Sequence, residues 1–392
     1  MVKNKMRVAI ITENFLPKLD GVTRTLARLL EYLQDNGHQA LLLGPENGIE
    51  QYAGAEVVGT AGFPLPFYPE LKFNFFRPLF IRRLNEFQPD IIHLVDPVVL
   101  GAAGLAAARF LNKPVVSSYH TNLAAYCDHF GFPFFTRPMW SYNRFIHNQC
   151  SLTFCPSPST ATMLHKQGFQ HLRIWPRGVD TGLFQPERRS AELRATWLEN
   201  ERPDAKVVLL YAGRISWEKN LHLLTQAYRG MDHERCHLVI VGEGPALSEV
   251  QQELADLPVT FTGYLRGEAL AAAYASADIF AFPSRTETFG QVVLEAMASC
   301  LPVVGVLSEG VCDLVRDGYT GYLLDTAGLD DEGQVMEYRA RLEHLIYDGE
   351  VRNIMRQAGL WDARQRSWSA AMRRLLDGYE EVIVGAQPLA VA

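Results

Sequence analysis

A chain of 392 residues is too long for one compact core and suits two large domains or three small ones. An apolar share of 48%, a charged share of 21% and no uninterrupted apolar stretch near the roughly eighteen residues of a membrane span exclude a disordered tail, a fibre and a spanning helix. The net charge of −7 speaks against a general nucleic-acid binder, yet residues 1–180 carry 17 basic against 13 acidic side chains and residues 181–392 carry 20 against 31, so the halves are expected to meet different partners.

Residues 1–6 (MVKNKM) lead straight into an apolar run without a signal-peptide pattern, and the six cysteines show no CxxC spacing. Both observations predict a cytoplasmic protein without a zinc site. Short apolar runs then alternate with helical patterns: Val8–Ile11, the helical stretch Val22–Leu33, Ala40–Leu43, Ile91–Leu94, Val115–Ser118 and Leu152–Phe154. A second series follows at Val207–Tyr211, His237–Val241, Val259–Thr262, Ile279–Phe282, Pro302–Val306 and Tyr322–Leu324. Runs apolar on both faces and separated by helices predict parallel sheets covered on each side, that is, an α/β chain of two doubly wound, Rossmann-like domains. Pro176, Gly178, Gly182 and Pro186 interrupt the pattern between Trp175 and Arg189. The expected division is an N-terminal domain over 1–178, a C-terminal domain over 184–365, and a helix and tail over 366–392 that return to the first domain. Asp348–Val384 reads as one long helical segment with few Gly or Pro residues.

Three strand-to-helix junctions carry chemistry. Gly21 follows the first strand, where a tight turn frees backbone N–H groups at a helix start. Gly213-Arg214 follows the first strand of the second series and Lys219 comes five residues after Arg214; a guanidinium and an ammonium beyond the carboxyl end of a central strand suit a diphosphate. In Ser284-Arg285-Thr286-Glu287-Thr288-Phe289-Gly290 a polar loop presents one carboxylate, and a helix presents a second at Glu295. A helix start with acidic side chains complementing its dipole explains one of these glutamates, but poorly explains both.

The Glu287-x7-Glu295 pattern, the Gly213-Arg214…Glu218-Lys219 loop, the Gly242-Glu243-Gly244-Pro245 turn and Ser118-Tyr119-His120-Thr121 together resemble the retaining glycosyltransferases of family 4, in order and over almost the whole chain. Asp20-Gly21-Val22-Thr23-Arg24-Thr25, Pro89-Asp90-Ile91-Ile92-His93, Lys113-Pro114-Val115-Val116, Pro138-Met139-Trp140-Ser141 and Arg177-Gly178-Val179-Asp180 are similar to the branch of sulfoquinovosyl-diacylglycerol synthases and glycolipid mannosyltransferases. The resemblance implies the GT-B fold, two Rossmann-like domains facing across a cleft, with the acceptor on the first and a UDP- or GDP-linked sugar mainly on the second. It implies that Arg214 and Lys219 hold the diphosphate, that Glu287 contacts sugar hydroxyls and Glu295 the ribose, and that the Thr288-Phe289-Gly290 backbone meets phosphate or sugar. Gly21 would approach the diphosphate, His120 would hydrogen-bond the transferred sugar, and Gly242, Gly244 and Tyr264 would flank the base. His93, ending a buried strand, reads instead as structural. Cys300 replaces a glycine common in the family, and Ser308-Glu309-Gly310-Val311-Cys312 replaces a Gly-Gly-x-Pro run, which leaves the donor open.

With cations and N–H dipoles to stabilise the departing phosphate, no divalent metal or other cofactor is expected. The absence of an obvious pair of carboxylates flanking the sugar favours front-face attack with retention over double displacement. Two segments mix rings with cations: Phe63, Phe67, Tyr68, Phe73, Phe75, Phe76, Arg77, Phe80, Arg82 and Arg83, then Phe130, Phe132, Phe134, Phe135, Arg137, Trp140, Tyr142, Arg144 and Phe145. This composition fits an interfacial membrane contact, and core packing is the alternative for each single ring. The expectation is transfer of a hexose or acidic hexose to a lipid hydroxyl such as that of diacylglycerol, by a protein peripheral on the inner face of a membrane. A soluble acceptor, a catalytically silent nucleotide-sugar binder, and an epimerase or phosphorylase of the same fold are the alternatives.

Overall fold

A computed structural model describes residues 5–17, 21–65, 68–74, 76–124, 132–198 and 206–386, with side chains throughout except at 63–74. The chain forms two compact units, Met1–Arg177 with Trp368–Ala392, and Gly178–Ser367.

In the first unit β1 (Arg7–Thr12), β2 (Gln39–Pro45), β3 (Gln51–Tyr52), β4 (Ala55–Thr60), β7 (Ile91–Val95), β8 (Val115–Ser118), β9 (Thr153–Cys155) and β10 (Leu172–Ile174) make one sheet. Its order is β10-β9-β8-β7-β1-β2-β4-β3, parallel except for β3, while β5 (Gly62–Leu65) and β6 (Tyr68–Asn74) form a separate hairpin. The central strands are buried along their length, as covered parallel strands must be. One face packs on the helix Val99–Phe110 and its neighbours through Ile11, Leu94 and Leu105. The other buries Leu26, Leu29 and Leu30 of the helix Gly21–Asp35 with Met372, Leu375, Leu376, Tyr379 and Val382 of the helix Trp368–Ala386. Each such apolar side chain contributes about 2 kcal/mol on burial, which ties the C-terminal helix to this sheet. Gly378 lets the helix lie close, because a Cβ there would sit 2.6 Å from the Phe154 ring.

The second unit holds β11 (Val207–Ala212), β12 (Cys236–Val241), β13 (Val259–Gly263), β14 (Ile279–Phe282), β15 (Val303–Val306) and β16 (Gly321–Leu324) in the order β13-β12-β11-β14-β15-β16, all parallel. This is the doubly wound order, with its switch point between β11 and β14, where Leu209 pairs with Ile279. The segment expected as one long helix is two, Gly349–Arg364 and Trp368–Ala386. The backbone between them is drawn away by Val179, whose N–H donates to the Arg366 carbonyl at 2.9 Å and which bridges to Ser367. No glycine or proline marks that break, so periodicity alone could not show it.

Candidate functional site

Ligands of open α/β sheets sit beyond the carboxyl ends of the strands where the order reverses. In the second unit that point lies between β11, which runs into Gly213-Arg214, and β14, which runs into Pro283-Ser284. The two loops are tied together: the Lys219 ammonium donates to Glu287 Oε1 at 2.7 Å, the Ser284 hydroxyl donates to the same oxygen at 3.0 Å, and Asn220 Nδ2 donates to the Pro283 carbonyl at 3.0 Å. Arg214 stands beside Glu218, Nε to Oε1 3.9 Å, and the Tyr211 hydroxyl holds the Arg214 carbonyl at 2.8 Å. Burial, with the Glu287 and Glu218 charges nearby, keeps the Tyr211 phenol well above its ordinary range, so it stays a neutral donor.

The helix Gln291–Ala298 begins beyond its N-cap Gly290, whose φ of +85° favours glycine, so its N-terminal dipole starts at the end of the loop after β14. Phe289 is buried beneath this turn. Gly310 lies against it, for a Cβ there would stand 2.5 Å from the Phe289 nitrogen. Glu295 lies on the second turn of that helix, 3% exposed, and receives the Tyr274 hydroxyl at 3.4 Å. Thr288 is half-buried beside Phe289. On the β12 side, a Cβ on Gly242, φ +141°, would stand 1.9 Å from the Gly213 carbonyl oxygen, and one on Gly244 2.1 Å from that of Ile215. Both glycines are therefore required by close backbone contact with the Arg214 loop, a reason internal to the protein. Tyr264, after β13, is 46% exposed.

In the first unit Gly21 opens its helix with no atom of the described residues within 4 Å of a would-be Cβ, while Asp20, in the same motif, lies outside the described residues. His120 follows β8. Its Nε2 is 2.8 Å from Ser118 Oγ and its Nδ1 2.8 Å from Arg177 Nη2, so a sugar hydroxyl reaches Nε2 only by sharing it with Ser118. Burial first, then the Arg177 guanidinium, holds the imidazole well below its ordinary pKa, hence neutral. Asp96, at φ +43°, accepts the His120 and Thr121 backbone N–H groups at 2.6 and 3.1 Å. His93 is bonded at both ring nitrogens: Nδ1 lies 2.6 Å from the Tyr379 hydroxyl and Nε2 2.8 Å from Ser118 Oγ, and burial drives its pKa down to about 3.

Sequence reasoning missed Ser118, Asp96, Arg177, Ser284, Asn220 and Gly310 as parts of these clusters. Ser284, Ser118, Arg177 and Gly310 stood within quoted motifs and Asn220 directly follows Lys219, so those motifs were the available signal; Asp96 stood in none, and nothing in the spacing of Asp96, Ser118 and Arg177 links them.

A profile of Glycosyltransferase Family 4 matches residues 19–183, and one of Glycosyl transferases group 1 matches residues 196–360. The chain is 35% identical over 388 residues to a GDP-mannose-dependent alpha-mannosyltransferase of Corynebacterium glutamicum, covering 97% of this chain and 90% of that one. It is 34% identical over 378 residues to the sulfoquinovosyl transferase SQD2 of Arabidopsis thaliana, covering 94% and 72%. With the alpha-monoglucosyldiacylglycerol synthase of Streptococcus pneumoniae it shares 27% identity over 333 residues, 81% of this chain and 75% of that one. The crystal structure of HepE of Anabaena in complex with UDP-glucose superposes with a TM-score of 0.76 at 20% identity, covering 96% and 100%, which shows the fold. Two Rossmann-like units of the GT-B kind, each built on a largely parallel sheet, a matched profile on each half and relatives named as mannosyl-, sulfoquinovosyl- and glucosyltransferases lead to one conclusion: the chain belongs to glycosyltransferase family 4 and is a glycosyltransferase that uses a nucleotide sugar.

Proposed function

We propose that the protein transfers a hexose, with retention, from a nucleotide diphosphate sugar to a lipid hydroxyl such as that of diacylglycerol. The observation that carries the donor half is the convergence of Arg214, the Lys219–Glu287 pair and the Gly290 helix start at the switch point of β11 and β14. Arg214 takes two phosphate oxygens in its planar fork and Lys219 adds a point charge. Both stabilise the negative charge growing on the leaving diphosphate, an effect of about 3–4 kcal/mol per well-placed donor. Glu287 is acceptor-only when ionised, and its second oxygen suits a sugar hydroxyl, while Glu295 serves the ribose. The donor phosphate then takes the proton of the attacking hydroxyl, and attack from the same face retains configuration.

The lipid half rests on the helix Thr136–His147 and the turn before it. Phe134 (67% exposed), Phe135, Pro138, Tyr142 and Phe145 (59% exposed) recur along one outer face, with exposed Arg137 beside them. Rings beside a guanidinium suit the headgroup boundary of an anionic membrane. Other rings of the two segments do not share that exposure: Phe80 is fully buried and Trp140 packs edge-on to Phe169. Phe67, Phe75 and Phe130, and the side chains of Phe63, Tyr68 and Phe73, lie outside what is described. Among the described residues no helix is long and apolar enough to cross a membrane, so contact by this face is peripheral. The diacylglycerol named in the streptococcal relative points the same way.

The test is a panel of UDP- and GDP-sugars with and without anionic diacylglycerol vesicles, reading nucleotide release and the mass and anomer of the product. Lipid-dependent release with an α-linked glycolipid product is expected from an α-linked donor. Release indifferent to lipid moves the acceptor to a soluble molecule, an inverted product removes the front-face mechanism, and no release from any donor leaves a binding protein.

A further inference from the structure

Five buried groups of the first unit form an unbroken line of hydrogen bonds. Arg177 Nη2 lies 2.8 Å from His120 Nδ1, His120 Nε2 2.8 Å from Ser118 Oγ, Ser118 Oγ 2.8 Å from His93 Nε2, and His93 Nδ1 2.6 Å from the Tyr379 hydroxyl. They come from the end of the N-terminal segment, from β7 and β8, and from the C-terminal helix, and all are 7% exposed or less. A guanidinium only donates, so Nδ1 of His120 must accept and its single proton sits on Nε2. Ser118 accepts that proton's bond and turns its own hydroxyl hydrogen to His93 Nε2; His93 is then protonated on Nδ1 and donates to Tyr379. In this polarity every link has one donor and one acceptor. The reverse polarity at His93 would aim two ring N–H groups at Ser118 Oγ and send the serine hydrogen elsewhere.

We infer that Tyr379, His93 and Ser118 are positioning residues for His120, fixing it as the neutral imidazole with its proton on Nε2, so that the C-terminal helix takes part in the transfer reaction through this chain. The rings are also held from the sides. Trp175 stands edge-on to His120, with centroids 5.6 Å apart, and Arg177 lies 4.6 Å over the Trp175 ring while donating to its carbonyl at 2.8 Å. Asp96 clamps the backbone of His120 and Thr121 and takes the Thr121 hydroxyl at 2.7 Å. The burial and the adjacent guanidinium that keep His120 uncharged make it a fixed N–H dipole, not a proton source, which matches a reaction whose proton goes to the donor phosphate. The inference rests on the reading of His120 as a residue that meets the transferred sugar.

The test uses the full chain labelled with ¹⁵N-histidine, the signals assigned with His93→Gln and His120→Gln, and compares Tyr379→Phe, Ser118→Ala and Ser118→Thr. Tyr379→Phe keeps the ring that packs on His93 and Phe154 and removes only the hydroxyl. In the unchanged protein His120 is expected as the Nε2–H tautomer and His93 as Nδ1–H. In Tyr379→Phe the His93 nitrogen signals exchange their pattern and those of His120 shift with them; kcat falls about tenfold with donor KM changed less than twofold, and the melting temperature stays within a few degrees. Ser118→Ala uncouples the two histidines and lowers kcat at least as far, and Ser118→Thr, which restores a hydroxyl, recovers it. A His120 proton on Nδ1, histidine signals unmoved in Tyr379→Phe, or Ser118→Ala turning over like the parent protein would each overturn the relay. The tautomers are read without any donor, so a protein that shows the expected patterns and transfers no sugar loses the proposed function, whereas turnover that is equal in parent, Ser118→Ala and Tyr379→Phe loses the relay alone.

Discussion

The two units hold their candidate groups in opposite ways. In the second, the groups are charged and sit on loops after β11 and β14, with side-chain exposures of 35% for Arg214, 16% for Glu218, 18% for Lys219 and 19% for Glu287. In the first, the chain from Arg177 to Tyr379 is dry, and four of its five members are neutral at pH 7. Partial exposure lets an ion pair open and trade partners with an arriving anion at modest cost, which a site that must bind and release a diphosphate requires. Full burial makes each unmade hydrogen bond expensive, so the histidine chain has one arrangement and serves geometry. On the proposed function, ligand charge is met where water can still reach, and orientation is set where it cannot.

Breaking the charged side has the largest expected effect. Arg214→Ala and Lys219→Ala each lower kcat/KM by about 10²–10³, the scale for removing one preorganised group from a developing charge; steady-state kinetics on the donor found by the panel checks this. Arg214→Ala moves the urea midpoint little, since its ion pair with Glu218 is long, Nε to Oε1 3.9 Å, and the arginine side chain is about a third exposed. Next comes the backbone beneath that side. Gly242→Ala must relieve both a φ of +141° and a 1.9 Å approach to the Gly213 carbonyl, so it costs about 2–4 kcal/mol of stability and weakens nucleotide binding in parallel, measured by urea denaturation and nucleotide titration.

A smaller effect sharpens the dry side. Burial lowers the pKa of His93 and of His147 to about 3, whereas an unfolded histidine titrates near 6.5. Between those values the unfolded chain binds a proton that the native chain refuses, so stability is complete above about pH 6.5 and is lost as pH falls. Each such histidine costs roughly 2 kcal/mol on going from pH 7 to pH 5. His147→Gln, which can keep a bond to the Ser117 hydroxyl now 2.9 Å from Nδ1, flattens that dependence by about the same amount, as urea midpoints at the two pH values will show.

Most parallel strands were legible because burial on both faces writes them as apolar runs, and Arg214, Lys219, Glu287 and Gly290 could be singled out as candidates because strand ends are short local motifs. Strand β10 went unread because three half-exposed edge residues leave no such run, β4 because exposed Glu56 and half-buried Gly59 interrupt it, β3 because two residues make no pattern, and the hairpin of β5 and β6 because proline and charge break its apolar residues. The relay was illegible for another reason: positions 93, 118, 120, 177 and 379 share no spacing, and only the return of the C-terminal helix to the first sheet brings them into line. Cys300, noted as a departure from glycine, does sit at φ +64° just past the helix Gln291–Ala298, with the Leu301 N–H closing onto the Ala296 carbonyl at 3.0 Å. A glycine there would meet a backbone requirement of a helix end.

Calorimetric titration of UDP and GDP against UMP and GMP into the parent protein and Arg214→Ala decides whether the β11–β14 switch point binds a diphosphate as proposed. The cognate diphosphate is expected to bind at least tenfold tighter than its monophosphate, and Arg214→Ala to remove most of that difference. Equal affinity for mono- and diphosphate, or a preference that survives in Arg214→Ala and Lys219→Ala alike, would contradict it.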